Sequence, residues 1–340
     1  MGINHSRALL AALLTAVLCT DATGQGSVPS SVVLRFGGDC LLAAHYESSV
    51  GPDVGRAFRG FTLLAEADIA LVNLESPITI RGTKVPKPFN FRMHPRYLAA
   101  LSETGIDVVS IANNHIWDYG REGLFDTILY LDSVGIQHVG AGITPEEARR
   151  AVLLSVKGRK VGFLAYYGGG EAPVASGTRP GVAGRDLASI VADIRRLRKS
   201  DDSVFVVVVL HWGAELAPVP DRLQQDFGRK VIDAGADAVI GHHPHVLQGI
   251  ERYGRGVIVY SLGNFIFGGN SRATYDTGLF EIRLGAQGAT YAFIPVRVEH
   301  WIARRAEGED ARRITQLMRD RSASLRYNLF TNTGNNAESK

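Results

Sequence analysis

The sequence predicts a layered α/β domain, and three observations lead to that prediction. Short apolar runs rich in β-branched residues alternate with segments of helical spacing along most of the chain. One of these runs, Val204–Leu210, is nearly all valine, which is typical of a strand buried on both faces. Polar residues and glycines stand at the ends of several runs, where α/β sheets place their functional sites.

Taken in chain order, the predicted strands are short β-branched runs and the predicted helices carry apolar residues every three or four positions. The strands are Ser31–Phe36, Ile69–Val72, Val108–Ile111, Val161–Tyr166, Val204–Leu210 and Val257–Tyr260. The helices are Val54–Ala67, Pro95–Thr104, about Arg121–Ser133, Leu187–Lys199 and Leu223–Ala234. The proline that opens the second helix suits a first helical turn.

The last part of the chain has a different pattern. Leu279–Leu284 and Tyr291–Val298 flank a glycine-containing stretch, as the strands of a β-hairpin do. We expect a C-terminal helix and a polar, frayed tail over residues 303–340. Because no internal repeat or linker is recognisable before that point, residues 27–302 are predicted to form one domain.

Residues 1–26 are predicted to be a signal peptide. Arg7 supplies a positive flank, and Ala8–Leu18 is an apolar stretch that is short for a membrane span. Ala22 and Gly24 provide the small residues of a cleavage site. An N-terminal anchor that is retained is the open alternative. The expected location is the periplasm or the cell envelope.

The composition is that of a soluble globular protein, since 45% of the 340 residues are hydrophobic and 21% are charged. The net charge of +3 is small, and basic clusters such as Arg195–Lys199 are typical of a solvated helix face. No nucleic-acid partner is therefore expected. The chain has two cysteines, Cys19 and Cys40, and the first lies in the predicted signal peptide, so no disulfide within the mature chain is expected.

Five segments place polar side chains at the ends of predicted strands. They are Phe36–Asp39, Val72–Glu75, Ala112–His115, Leu210–Gly213 and Gly241–His245. Two carboxylates, an amide and three or four imidazoles suit Mn, Fe, Zn, Co or Ni better than Ca or Mg, and the lack of thiolates argues against a structural zinc site. Each segment alone has an ordinary explanation, such as a turn or a buried histidine. All five in one alternating fold favour a metal site.

The order of these segments resembles a known family. Gly-Asp, Asn-Leu-Glu, Asn-Asn-His, His-Trp-Gly and His-Pro-His follow one another as in the CapA (PgsA) family of poly-γ-glutamate capsule-synthesis proteins. Val246–Gln248 and Ser261–Phe265 add to the resemblance, which covers about residues 31–300. That family is similar to the calcineurin-like metallophosphoesterases. The resemblance therefore implies a four-layer α-β-β-α sandwich, in which two mixed sheets flanked by helices carry a metal site at strand ends.

The resemblance also implies a ligand set for one or two divalent transition ions, Mn, Fe or Zn. Asn114, His211 and His243 would hold one ion. Asp39, Glu75 and His245 would hold the other, with Glu75 in the place of the bridging carboxylate.

One catalytic residue and one departure follow from the same resemblance. His115 would protonate the leaving oxygen of a substrate. Leu41 stands where phosphoesterases carry a further histidine, so one ion is expected to bind tightly and the other weakly or not at all. His242 is left out of the ligand set.

Arg92 and Trp212 are the predicted substrate-binding residues. Arg92 follows the turn-rich stretch Gly82–Asn90, and a guanidinium can bind a carboxylate or phosphate through two hydrogen bonds. An ordinary surface arginine is the alternative. Trp212 is predicted to form a pocket wall and Glu215 to orient a ligand. A second turn-rich stretch, Gly168–Gly184, is also expected to be functional.

Three functions are compatible with these features. The first is an exported protein of capsule synthesis that acts on poly-γ-glutamate or a related anionic polymer, with a capsule-synthesis membrane complex as a partner. The second is an exported metal-dependent phosphoesterase. The third is a scaffold that handles the polymer without catalysis. The sequence leaves open whether the polymer is cleaved, transferred or only bound.

Overall fold

The computed structural model describes residues 31–43, 46, 53, 55–267, 275–325 and 329–330. Two mixed β-sheets pack against each other, and helices flank them. The predicted fold class, an α/β sandwich of two mixed sheets flanked by helices, is confirmed. The predicted signal peptide and most of the polar tail lie outside the described residues.

The first sheet contains eight strands. They are β1 (Val32–Cys40), β2 (Ile69–Leu74), β3 (Val108–Ser110), β4 (Gln137–Val139), β13 (Asn264–Ile266), β14 (Asp276–Gly285), β15 (Gly288–Glu299) and β16 (Ile302–Arg305). Their order is β16-β15-β14-β1-β2-β3-β4, and β13 also pairs with β1. Strands β1 to β4 run parallel, and the predicted hairpin, β14 and β15, extends the sheet on the other side of β1.

The second sheet contains six strands. They are β6 (Val152–Val156), β7 (Arg159–Tyr167), β9 (Phe205–His211), β10 (Ala238–His242), β11 (Ile250–Tyr253) and β12 (Gly256–Val259). Their order is β11-β12-β10-β9-β7-β6, with four parallel strands in the middle and an antiparallel strand at each edge. Two short strands, β5 (Ala141–Gly142) and β8 (Gly181–Val182), form a separate pair.

The described residues form six α-helices and two short 3-10 helices, of which the last α-helix follows the final strand. The α-helices are α1 (Leu98–Ser102), α2 (Gly120–Ser133), α3 (Pro145–Ala148), α4 (Leu187–Ser200), α5 (Arg222–Asp233) and α6 (Gly308–Ser322). The 3-10 helices are Arg56–Phe58 and Pro95–Tyr97. Asp186 and Asp221 cap α4 and α5, each accepting a hydrogen bond from a backbone N–H of the first turn. Among the described residues, no helix has the length and apolar character needed to cross a membrane.

Strand β9 explains how the layers are held together. Alternate residues of a strand point to opposite faces. Val207 and Val209 belong to the large core cluster that also contains strands β1 to β3 of the first sheet. Val206, Val208 and Leu210 belong to a second cluster with apolar residues of α4 and α5. The nearly all-valine sequence of β9 follows from burial on both faces.

The helix predicted over Val54–Ala67 is wrong in the described part of that range. It contains the 3-10 helix Arg56–Phe58, followed by turns. Gly60 has a φ of 76°, which does not fit a right-handed helix. Phe58 and Phe61 instead pack against Phe265, with ring centroids 6.3 and 5.4 Å away. Tertiary contacts with β13 therefore outweigh the helical spacing.

Candidate metal site

Strand ends from both sheets meet at one place. Asp39 lies at the end of β1, and His211 is the last residue of β9. Glu75 follows β2, Asn114 follows β3, and His243 and His245 follow β10. Among the described residues, three groups have ligand atoms within 4.8 Å of one another. They are Glu75, His211 and His243; Asp39, Glu75 and His245; and Glu215, His243 and His245. Five of the six predicted ligands thus come together, and the sixth, Asn114, contacts His211.

A close approach of two backbones positions Asp39. The pairing of β1 with β2 shifts register between Phe36 and Asp39. At Gly38, an added Cβ would lie 1.9 Å from the carbonyl oxygen of Gly263, so only glycine fits there. The N–H of Asp39 donates to the same carbonyl at 2.9 Å. Gly38 therefore allows β13 to lie beside the end of β1.

Two asparagines orient the buried carboxylates. Nδ2 of Asn73 donates to Oδ1 of Asp39 at 2.9 Å and lies 3.2 Å from Oε2 of Glu75. Asn113 in turn donates to Oδ1 of Asn73 at 3.1 Å and to the carbonyl of Leu74 at 2.8 Å. The amide network fixes both carboxylates, and Oε1 of Glu75 has no hydrogen-bond partner among the described residues.

Two histidines are oriented by further amide oxygens. Nε2 of His211 lies 2.9 Å from Oδ1 of Asn114, which brings two predicted ligand atoms side by side. Nδ1 of His245 lies 2.9 Å from Oδ1 of Asn264. With a proton on that Nδ1, donated to Asn264, Nε2 of His245 carries a lone pair and faces the cluster. Such a partner behind a histidine is the usual way in which proteins orient an imidazole ligand.

The segment that carries the last two histidines has unusual backbone conformation. His243 and His245 have φ angles of 100° and 58°, in the left-handed region that non-glycine residues rarely adopt. The N–H of His243 donates to Oδ2 of Asp39 at 3.2 Å. Strained residues of this kind cluster at functional sites, where surrounding contacts hold them.

The donor atoms fit a divalent transition ion. Oε1 of Glu75 lies 3.6 Å from Nε2 of His245 and 3.7 Å from Nε2 of His211, without a hydrogen bond to either. Metal bonds of ~2.1 Å at tetrahedral angles would hold neighbouring ligand atoms about 3.4 Å apart. Nδ1 of His243 is likewise buried without a hydrogen-bond partner in the described part of the chain. Buried polar atoms are rarely left in this state unless an ion or water satisfies them.

The two buried carboxylates respond differently to their surroundings. Burial acts to raise the pKa of Asp39, but the imidazoles of His242 and His245 hold it well below its ordinary value. Burial, reinforced by the negative charge of Asp39, raises the pKa of Glu75 well above its ordinary value. A divalent cation between them would favour ionisation of both carboxylates.

The surroundings also shift the pKa values of the site histidines in opposite directions. Burial lowers the pKa values of His211 and His243, so these imidazoles are neutral at pH 7, the form in which they bind metals. Burial also disfavours the charged form of His245, but the charges of Glu75 and Asp39 outweigh it and raise the pKa to about 10. An ion that binds His245 therefore has to displace a proton.

His115 directly follows the predicted ligand Asn114, and its Nδ1 contacts a carboxylate. Nδ1 of His115 lies 2.7 Å from Oδ2 of Asp118, and Nζ of Lys87 lies 2.5 Å from the other oxygen of that carboxylate. Lys87 also donates to the carbonyl of Asn114 at 2.7 Å. Burial lowers the pKa of His115, against an opposing effect of Asp118. The contact with Asp118 involves Nδ1 and not Nε2, and the predicted action of His115 on a substrate stays a prediction.

The two turn-rich stretches meet beside His115. Lys87, from the first stretch, lies 3.3 Å from Glu171 of the second. A cavity of about 650 Å³ lies between the stretches and is lined in part by Lys87, Trp117, Glu171 and Arg179. Both stretches therefore contribute side chains to the surroundings of the candidate site.

The two predicted substrate-binding residues have different surroundings. Arg92 is exposed and stacks its guanidinium over the ring of Tyr119 at 4.5 Å. Trp212 is buried in the second core cluster, stacks on Tyr260 and donates its indole N–H to the carbonyl of Tyr260 at 3.0 Å. This placement gives Trp212 a packing role. Substrate binding by either residue stays a prediction.

Several residues at the site were not assigned by sequence analysis. Asn73, Asn113, Asn264, Lys87 and Asp118 orient ligands or His115. His242, which was left out, is buried with Nδ1 3.3 Å from Oδ1 of Asp39. The asparagines could have been recognised from their position in the sequence, because each lies inside one of the motifs or within two residues of a motif residue.

A sequence model of the family described as "Bacterial capsule synthesis protein PGA_cap" matches residues 33–269 of this chain. Capsule biosynthesis protein CapA of Bacillus anthracis is 31% identical over 77% of the chain and 66% of that relative. PGA biosynthesis protein CapA of Bacillus subtilis is 33% identical over 65% of the chain and 59% of that relative. The chain thus spans about three fifths to two thirds of the length of these relatives.

The fold has solved counterparts. A Staphylococcus aureus protein assigned as a 5'-nucleotidase, solved in complex with alpha-ketoglutarate, superposes with a TM-score of 0.51 and 13% identity. The match covers 86% of this chain and 58% of that chain. At this level of identity the likeness concerns the fold alone.

Proposed function

The chain belongs to the bacterial capsule synthesis protein family PGA_cap, and on that premise we propose that it takes part in capsule synthesis by acting on poly-γ-glutamate through a divalent-metal site. The observation that carries the proposal is the convergence of oxygen and nitrogen donors from both sheets at a single place. Relatives named for capsule and PGA biosynthesis support the choice of polymer.

The chemistry of the site suits an anionic substrate. A divalent ion, when bound, would supply positive charge that attracts and polarises carboxylate or phosphate groups. The residues expected to hold it are Asn114, His211, His243, Asp39, Glu75 and His245. Lys87 and Arg179 line the neighbouring cavity, where the charge of Lys87 is offset by Asp118 and Glu171. Carboxylates of the polymer would therefore meet the bound ion, with Arg179 as a further cationic group.

The proposal is tested by measuring poly-γ-glutamate binding to Mn-loaded protein, with polymer length followed in the same samples. We expect binding that weakens by at least about tenfold, or 1.4 kcal/mol, after chelation. Poly-α-glutamate of equal length is the matched control, because it has the same charge and a different backbone. Equal binding of both polymers, or no binding by the loaded protein, would argue against a role with poly-γ-glutamate. A shortened polymer would identify cleavage.

A second candidate function, phosphoester hydrolysis, is favoured by one observation. The contact between His115 and Asp118 fixes the proton on Nδ1 when His115 is neutral, and a protonated His115 could give its Nε2 proton to a leaving oxygen. Lys87 holds Asp118 in place through a short ion pair.

We propose further that the protein is exported to the cell envelope. The support is the sequence of residues 1–26, with its positive flank, short apolar run and small residues near Ala22 and Gly24. N-terminal sequencing of protein recovered from envelope fractions is expected to give a first residue between about 20 and 28. Recovery of the full-length chain from the cytosol would contradict export.

A further inference from the structure

Glu215 stands out because it is the exposed member of a ligand group that otherwise consists of site histidines. Its carboxylate lies within 4.8 Å of ligand atoms of His243 and His245. The other two groups contain Asp39, Glu75 and His211, which are buried. Glu215 therefore approaches the cluster from the solvent side.

The backbone holds Glu215 against the histidine segment. The N–H of Leu216 donates to the carbonyl of Pro244 at 2.9 Å, between the two histidines. One residue further, the carbonyl of Ala217 accepts from Nε2 of Gln248 at 3.0 Å. These bonds tie the turn after β9 to the segment after β10. The position of Glu215 is thus fixed by the fold, unlike that of an ordinary surface glutamate.

The donor count of the cluster leaves room for such a ligand. Leu41, where related phosphoesterases would carry a histidine, is a buried aliphatic side chain and offers no donor atom. The group of Asp39, Glu75 and His245 then supplies three donors. Transition ions bound by nitrogen and oxygen take at least four ligands.

We propose that Glu215 is a direct ligand of the second divalent ion, on its solvent-facing side, together with His245. The carboxylate compensates in donor count for Leu41 and adds a negative charge, which favours a hard or borderline divalent cation. Because Glu215 is exposed, an ion held in this way can exchange with solvent more readily than one enclosed by Glu75, His211 and His243. This inference rests on the proposed metal site.

The test is a titration of the metal-free full-length mature chain with Mn²⁺ by calorimetry, repeated with Co²⁺ by visible absorption. Wild type is expected to bind one ion tightly and a second more weakly. In Glu215→Gln, the tight ion should remain, and the affinity for the second should fall at least about tenfold, the lower range for loss of a partner at a metal site. The Co²⁺ absorption of the second equivalent should change as well.

Glu171→Gln is the matched control. Glu171 is another exposed glutamate at the rim, paired with Lys87, and belongs to none of the three ligand groups. Its substitution should leave both affinities unchanged. Equal second-ion affinities in wild type and Glu215→Gln would overturn the inference, as would a wild type that binds a single ion. A wild type that binds no ion would overturn the proposed metal site itself. Thermal melting of the metal-free variants checks that each is folded.

Discussion

Replacement of His211 by alanine is expected to abolish binding of the tight divalent ion and to lower the melting temperature by several degrees in metal-containing buffer. His211 is 2% exposed, and its Nε2 lies close to both Oδ1 of Asn114 and Oε1 of Glu75. An ion present at 100 to 1,000 times its dissociation constant stabilises the folded state by about 2.7–4.1 kcal/mol. Metal content by mass spectrometry and melting with and without Mn²⁺ would measure the two effects.

Melting of the metal-free proteins separates the stability that the ion provides from the stability that side-chain packing provides. Removal of a buried imidazole costs stability by itself, so the metal-dependent part of the shift is the quantity to compare. Chelation should lower the melting temperature of wild type by more than that of His211→Ala, which keeps only the residues of the weaker ion. His94→Ala, at an exposed histidine outside the cluster, should behave as wild type does. A His211→Ala protein that retains full metal content would show that His211 is not a ligand.

Replacement of His115 by alanine is expected to reduce phosphoester turnover by roughly 10²–10⁴-fold while metal content stays that of wild type. His115 contacts Asp118 rather than any of the three ligand groups, so the ion does not depend on it. The loss should be smaller with a nitrophenyl ester, because a nitrophenolate leaves without needing a proton. Paired rate measurements on an alkyl and a nitrophenyl phosphoester would provide the test.

Asp118→Asn serves as the companion variant. The amide cannot stabilise a protonated His115 as the carboxylate does, so the same dependence on the leaving group is expected with a smaller loss. Equal losses on both esters in His115→Ala would argue against proton donation, and loss of metal would make His115 a ligand. A metal-loaded wild type without any phosphoester turnover would remove the hydrolase candidate and leave polymer handling.

Much of the fold could be predicted because burial and sequence pattern agree. Strand β9 is buried on both faces and is nearly all valine, and Asp186 and Asp221 cap α4 and α5 at the predicted helix starts. The ligand residues were recognisable because parallel strands bring their carboxyl ends to one edge. Sequence order alone therefore indicated which side chains could meet.

The remainder depends on contacts between distant segments. Residues 56–61 form a short 3-10 helix and a turn, and Phe58 and Phe61 pack on β13, more than 200 residues later in the sequence. Strand β6 has alternating partial burial and was not predicted, since its apolar residues lie at a sheet edge. The orienting roles of Asn73 and Asn264 follow from pairing across β1, β2 and β13, which the linear sequence does not display.

The left-handed backbone at His243 and His245 has an evolutionary consequence. A non-glycine residue held at positive φ costs of order 1–3 kcal/mol, whether or not an ion is present. Glycine at either position would relieve that backbone cost, so backbone conformation by itself disfavours both histidines. A lineage that abandoned the ion would be free to drift toward glycine or asparagine there. Histidine at both positions in a relative would therefore indicate that the metal site has been under selection there.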